Sequence, residues 1–489
     1  MVRVRVPMSA RRWIWLLLAL EALLVMVDVL MGPGAQLAPE EAWNLRAGLQ
    51  LACGHTDRLW DLQYRSFCGG CTAEAVLAVP LFRGLGEALW TWKLVPAGFH
   101  LAVVGLGAAL SARAWGAPAA AGFVAWMIAA PPFYRELALT GYGNHVEGTA
   151  FVFGSAVLGV EGLRRGWALR VPLLVAAGAV GSLGLWFAWS TAYGLAALGV
   201  LSLWAWRRGG PLWLLGLPAG WWPWRSLLAA DSGAAPYAAD WWRGLALAPV
   251  HEWWRWLVGD FGAGGLLVQA PGLPSLAWWG LLWGLGLAGT VAAWRSPSRA
   301  RLWAPLALCA LLAAWLLRYD AWHDTYPLDT WSPFLLRYRS PLVPLLGLLA
   351  AGAAVQWPWA RRVLVVVCGV GLCVRPLGWT GLSPRVLQSA YPTLQSPPDP
   401  TVPAGRPVMR HARGLTRPQD VQAALDFLSS HQDPLRGCRL DHLNELGHRL
   451  HGLARTQPDH PLVEGARAEL SDPLDRAYLD GVLARQRQR

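Results

Sequence analysis

A chain of 489 residues in which 55% are hydrophobic and 33 are tryptophan is too apolar for a soluble enzyme of its length. The tryptophan excess fits side chains held at a membrane–water interface. The formal charge of +12 rests almost wholly on arginine, Lys93 being the sole lysine. These arginines stand in short segments between apolar runs, so they fit topology signals and acidic lipid headgroups rather than a nucleic-acid surface. Arginine over lysine, with abundant Ala, Gly and Leu, also matches the coding bias of a GC-rich bacterium.

In chain order, Arg3, Arg5, Arg11 and Arg12 precede an apolar run from Trp13 to Met31. That run exceeds the core of a signal peptide and carries Glu21 and Asp28, which predicts an uncleaved first span with a cytoplasmic N-terminus. The two acids share one helix face and are expected to look into the bundle. Residues 32–92 form a long external segment, and 229–275 form another. Ala75–Leu81 and Leu85–Trp90 are apolar but short, broken by Pro80, Gly84 and Gly86, and predict helices lying in the interface.

Further spans are predicted near 93–112, 117–132, 147–163, 171–187, 190–206, 211–228, 276–294, 302–317, 341–357 and 363–380, about eleven in all with the first. Arg113, Arg164-Arg165, Arg207-Arg208, Arg295 with Arg299 and Arg301, and Arg361-Arg362 punctuate alternate connections. All fall on the cytoplasmic side if the first span runs outward. The fold class that follows is all-α: a polytopic membrane helix bundle over 1–380, a proline-rich linker over 381–400, and a small helical soluble domain over 401–489. In that domain Val421, Ala424, Leu425 and Leu428, then Leu443, Leu446, Leu450 and Leu453, recur at helical spacing. Parity puts it on the periplasmic side.

Three stretches could carry chemistry, all on the external face. Glu40-Glu41 stands just past the first span, where a carboxylate beside hydrocarbon is costly and usually faces a cavity or a partner. Gly141-Tyr142-Gly143-Asn144-His145-Val146-Glu147-Gly148 sets polar groups among glycines at the mouth of another span. Glu147 there is equally a helix-capping acid. Arg337-Tyr338-Arg339-Ser340-Pro341 enters the tenth span, where arginine can hold a phosphate by paired hydrogen bonds or serve as an interfacial anchor. Cys53, Cys68 and Cys71 share the first external segment, and a disulfide from Cys53 to Cys68 or Cys71 would staple it.

This layout resembles the C-type (GT-C) glycosyltransferase superfamily, in particular its protein O-mannosyltransferase and aminoarabinose transferase branches. The resemblance rests on a first span, the acidic pair Glu40-Glu41, a long loop with Gly54-His55, many spans, and Arg337-Tyr338 followed by Pro341-Leu342-Val343-Pro344. It covers roughly residues 10 to 360 and leaves out the helical tail. It implies Glu40, Glu41 and Glu147 as catalytic residues, the Glu40-Glu41 pair standing where the family carries an Asp-Glu pair. It implies substrate-binding roles for Arg337, Tyr338, Arg339, His145 and Asn144. The donor it implies is a sugar on a polyprenyl phosphate, its tail left among the membrane lipid, and the acceptor a hydroxyl or amine at the periplasmic face of the inner membrane. Some family members use a divalent cation, for which His145, Glu147 and Glu40 are the available ligands. A catalytically silent scaffold of the same fold and a lipid or oligosaccharide transporter are the alternatives. No internal repeat of the kind transporters carry is visible.

Overall fold

A helix that carries carboxylates through a membrane is stable only if those charges meet opposite charges inside the protein. The first predicted span poses that problem, and the fold answers it. The computed structural model describes residues 8–32, 39–53, 69–220 (except 131, 144, 189 and 190), several positions between 284 and 295, and 340–378. In the tail it describes 436–470 and scattered positions from 418 to 484. In chain order the helices are α1 (Met8–Met31), α2 (Pro39–Ala52), α3 (Gly69–Leu85), α4 (Leu89–Trp115), α5 (Ala117–Ile128), α6 (Pro132–Ala138) and α7 (Gly148–Arg164). Then come α8 (Trp167–Phe187), α9 (Ala192–Trp204), α10 (Leu342–Gln356), α11 (Pro358–Val374), α12 (Arg436–Thr456) and α13 (Pro461–Glu469). No strand occurs among the described residues.

Arg12–Met31, Leu89–Trp115 and Trp167–Phe187 are long and apolar enough to cross a membrane, and Ala117–Ile128, Ala192–Leu203 and Val343–Gln356 are shorter apolar helices. Trp13, Trp15, Trp167, Trp206 and Trp359 are exposed near helix ends, and Val365, Val366 and Leu372 are exposed along α11. That is the distribution of a surface solvated by lipid, with aromatic rings at its borders.

The chain groups into two units, and the larger holds the described parts of Met1–Asn44, Tyr64–Glu74 and Lys93–Val386. In it α5 packs on α1, α10 and α11, burying Phe123, Val124 and Met127 with Leu346, Leu349 and Ala351. The Trp126 indole N–H, which must find a partner when buried, donates to the Val343 carbonyl at 3.0 Å. Helices α7 and α8 form a hairpin across Arg165-Gly166.

Three expectations need correction. The span predicted near 211–228 begins as a 3₁₀ helix, Gly210–Gly216, laid against α8. The reason is close backbone approach: a Cβ at Gly178 would overlap the Trp213 carbonyl oxygen, and one at Gly216 the Val175 carbonyl oxygen. The pair of interfacial helices predicted at Ala75–Leu81 and Leu85–Trp90 is instead the single helix α3, with Pro80 inside it, followed by the first turn of α4. The break falls at Gly86, whose φ of +90° is strained for any other residue. The span predicted over 117–132 also stops early, at Ile128, ahead of Pro131-Pro132.

Glu21 and Asp28 are fully buried on α1, as their shared face requires. Arg375, in the 3₁₀ turn that follows α11, donates from Nη1 to Glu21 Oε2 at 2.8 Å and from Nη2 and Nε to Asp28 Oδ2 at 2.7 and 3.1 Å. Its Nη1 also reaches the Ile128 carbonyl at 2.9 Å. Arg135 of α6 donates to Asp28 Oδ1 at 3.4 Å, and His100 Nε2 of α4 lies 2.9 Å from Glu21 Oε1.

The second unit holds the described parts of Leu45–Gln63, Ala75–Trp92 and Leu387–Arg489. Its tail helices bury Leu443, Leu446, Leu450 and Leu453 with Val421, Leu425, Ala466, Leu470 and Leu479. Pro461 opens α13, and His460 Nδ1 accepts the Leu462 N–H at 3.3 Å.

Replacing Arg375 by Met strands two buried carboxylates. The expected loss of stability is roughly 3–5 kcal/mol, with Arg375→Lys losing less, read from unfolding of the purified protein in detergent.

Candidate functional site

The loop between α6 and α7, residues 139–147, is held from two sides by α2 and α3. Glu41 Oε1 accepts the Gly141 N–H at 2.9 Å, and Asn44, one turn on, donates from Nδ2 to the Gly141 carbonyl at 2.8 Å. One residue, Gly141, is thus gripped at both its backbone polar groups by side chains three residues apart on a single helix face. The second Glu41 oxygen takes the Lys93 ammonium at 2.7 Å, with both side chains fully buried. The sole lysine of the chain therefore neutralises the second acid of the Glu40-Glu41 pair.

From the other side, the first turn of α3 presses onto the loop. A Cβ at Gly70 would overlap the Gly143 carbonyl oxygen, and one at Gly143 would stand 2.5 Å from the Cys71 nitrogen. Gly143 has φ +72°, so glycine is demanded there twice over. Cys71 Sγ lies 3.6 Å from the Tyr142 carbonyl. Cys53 and Cys71 are each disulfide-bonded, in line with a stapled first external segment.

This seating brings Glu74, one turn beyond Gly70, against Glu147. Both carboxyls are buried, close enough that the charge of Glu147 acts on Glu74. No well-aligned N–H or hydroxyl reaches either oxygen of Glu74 or Oε1 of Glu147. Glu147 Oε2 accepts the His145 N–H at 3.2 Å. Burial raises Glu147 to about 7, the backbone N–H groups of His145 and Gly143 opposing it. Burial also raises Glu74 well above the usual carboxylate range, and the charge of Glu147 adds to it. Glu147 occupies the N-cap position of α7 yet makes no capping bond with its side chain, so the helix-capping alternative does not describe it. The His145 ring meets Tyr142 edge-on at 5.5 Å and is buried.

Of the residues expected at the site, the structure brings Glu41, His145 and Glu147 together. Glu40 lies in the first turn of α2, its side chain outside the described residues, as are Asn144, Arg337, Tyr338 and Arg339. Sequence reasoning missed Asn44, Glu74 and Lys93. The available signals were a lone lysine in an arginine-rich chain and a single acid in the apolar stretch Ala73-Glu74-Ala75-Val76. For a divalent cation the fit is poor. Among the described residues no three His, Cys, Asp or Glu side chains gather to hold one. One oxygen of Glu147 is already engaged by the His145 N–H.

Set against solved structures, the chain is similar to ArnT from Cupriavidus metallidurans. Its apo form gives a TM-score of 0.50 at 16% identity, over 97% of this chain and 76% of that one. The same protein bound to undecaprenyl phosphate gives 0.51 at 16%, over 96% and 75%. The chain has the GT-C fold. An oligosaccharyltransferase from Archaeoglobus fulgidus, in complex with Zn and sulfate, is more distant, with a TM-score of 0.44 at 13% identity over 87% of this chain and 56% of that one. No protein-family model and no curated protein matches the sequence.

Glu41→Gln and Lys93→Met should each destabilise the protein by roughly 3–5 kcal/mol, because each leaves its partner buried without its counter-charge. The double variant should lose less than the sum, with a coupling of at least about 1 kcal/mol in unfolding measurements; additive losses would show that the pair does not act as one unit.

Proposed function

We propose that this chain is an integral-membrane glycosyltransferase that moves a sugar from a polyprenyl-phosphate donor to an acceptor hydroxyl or amine at the periplasmic face. The observation that carries the reading is where the acids lie along the helices. Arg113 at the end of α4 meets Glu161 of α7 at 3.2 Å, and Arg165 bonds the same carboxylate, while Arg164 donates to the Arg113 carbonyl. Lys93, near the start of α4, pairs with Glu41, and Glu147 immediately precedes α7. Lys93 and Arg113 stand about 30 Å apart along α4, roughly the thickness of the hydrocarbon layer. With the arginine end in the cytoplasm, the carboxylate end opens to the periplasm. The disulfide-bonded Cys53 and Cys71 support an oxidising compartment on that side. The GT-C fold shared with ArnT, which has been solved with undecaprenyl phosphate, supports a lipid-phosphate donor.

On this reading the acceptor attacks the anomeric carbon as the bond from that carbon to the phosphate oxygen breaks. The electron pair leaves on the phosphate. Its growing charge is met by Arg337 and Arg339, with Tyr338 beside them. A carboxylate takes the acceptor's proton, and Glu147 or Glu40 fills that role. Glu41 is committed to Lys93 and the Gly141 N–H, so its part is to hold the loop. His145 and Asn144, shortly before Glu147 in the sequence, are the acceptor-binding candidates. No step runs through a metal.

The test is transfer from a synthetic polyprenyl-phosphate sugar by the purified chain in nanodiscs. Glu147→Gln or Glu40→Gln is expected to lower turnover by about 100-fold or more while binding of the lipid phosphate persists. Full turnover in both variants, or a wild-type chain that neither binds nor consumes any such lipid, would overturn the proposal.

A further inference from the structure

At the end of α4 away from Lys93, several helix ends meet. Arg113 lies in the last turn of α4, Arg164 and Arg165 close α7, and Arg170 lies in the first turns of α8. A Cβ on Gly209 would stand 3.3 Å from the Trp167 ring, so the turn after α9, with the exposed Arg207, lies against the start of α8. The stretches 105–116, 155–175 and 201–216 carry six arginines and one acid, Glu161. Glu161 accepts from Arg113 at 3.2 Å and from Arg165 at 2.7 Å. Arg170 donates instead to the Arg165 carbonyl at 2.8 Å, and its guanidinium sits 5.9 Å from the centre of the Trp167 ring. A carbonyl and an indole hold a guanidinium in place without cancelling its charge. The Arg170 Nε, though buried, has no hydrogen-bond partner.

The surface beside this charge is apolar. Trp167, Leu169, Leu203 and Trp206 are all exposed. Indoles at helix ends mark the depth where headgroups meet hydrocarbon, and the leucines run from there along α8 and α9. We propose that the ends of α7, α8 and α9 form a binding site for an anionic phospholipid, its phosphate held by Arg165 and Arg170 and its acyl chains laid against Leu169 and Leu203. Free phosphate or a nucleic acid would leave the leucines bare, and a zwitterionic lipid would bring its own positive charge to the arginines. The site is at the opposite end of α4 from Lys93 and Glu41, and it does not depend on the transferase reading.

The test is association of spin-labelled lipid with the full-length chain in phosphatidylcholine vesicles, comparing labelled phosphatidylglycerol with labelled phosphatidylcholine. The wild type should prefer phosphatidylglycerol by about fivefold or more, and Arg165→Gln with Arg170→Gln should bring the preference within about twofold of unity. Arg170→Gln alone leaves both partners of Glu161 in place. It should lower the preference at least about twofold, and it keeps the test open if the double variant does not fold. Arg361→Gln with Arg362→Gln, on the exposed start of α11, removes the same charge elsewhere and should leave the preference unchanged. No preference in the wild type, or an undiminished one in Arg170→Gln, overturns the site. An equal loss in the α11 variant reduces it to diffuse surface charge, and abolition by inorganic phosphate at constant ionic strength makes it a free-anion site; either result also overturns the proposal.

Discussion

The contact on which the rest of this structure depends is the buried ionic group of Arg375 with Glu21 and Asp28. It joins the first long helix to the end of α11 and, through the Ile128 carbonyl, to the end of α5. Arg135 completes it from α6, so two carboxylates meet two guanidiniums in an interior that would tolerate neither sign alone. Its directional effect matters as much as its energy. Four hydrogen bonds from one planar guanidinium fix angles as well as distances, which apolar packing between α1 and α5 cannot do. Because Asp28 also holds Arg135, the short helix that leads into the loop at 139–147 takes its direction from the same group.

The loop itself is a second layer of the same design. Its backbone is gripped at Gly141 by Glu41 and Asn44 and pressed at Gly143 by the first turn of α3. Glu147 emerges from a segment with little freedom left, as the proton-accepting role proposed for it would need. Glu41 faces inward to a lysine and a backbone N–H.

Much of the fold was legible. The apolar runs at 13–31, 93–112, 147–163, 171–187 and 190–206 correspond to helices whose ends differ by a few residues. The one-face spacing of Glu21 and Asp28 announced an interior role. The failures have physical causes. Hydropathy registers how apolar a segment is and is blind to how closely two backbones approach, so the 3₁₀ segment at Gly210–Gly216 read as a span. Short-range punctuation misled at α3, where Pro80 is absorbed within a helix and Gly86 alone ends it. At the site, Glu147 was visible among its glycines. Glu74 was not, because its meaning comes from a contact with a loop about seventy residues away, set by two glycines that carry no chemistry of their own.

The sequence distance spanned by the Arg375 contact has a consequence for biogenesis. Asp28 and its guanidinium partner are 347 positions apart. A ribosome delivers α1 to the lipid long before that partner exists. Through most of synthesis the first helix carries two acids with Arg135 as its nearest available counter-charge, and the emergence of residue 375 closes the circuit. Assembly of the bundle is therefore completed from its far end, and a chain truncated ahead of α11 would leave the membrane with an unlatched first helix.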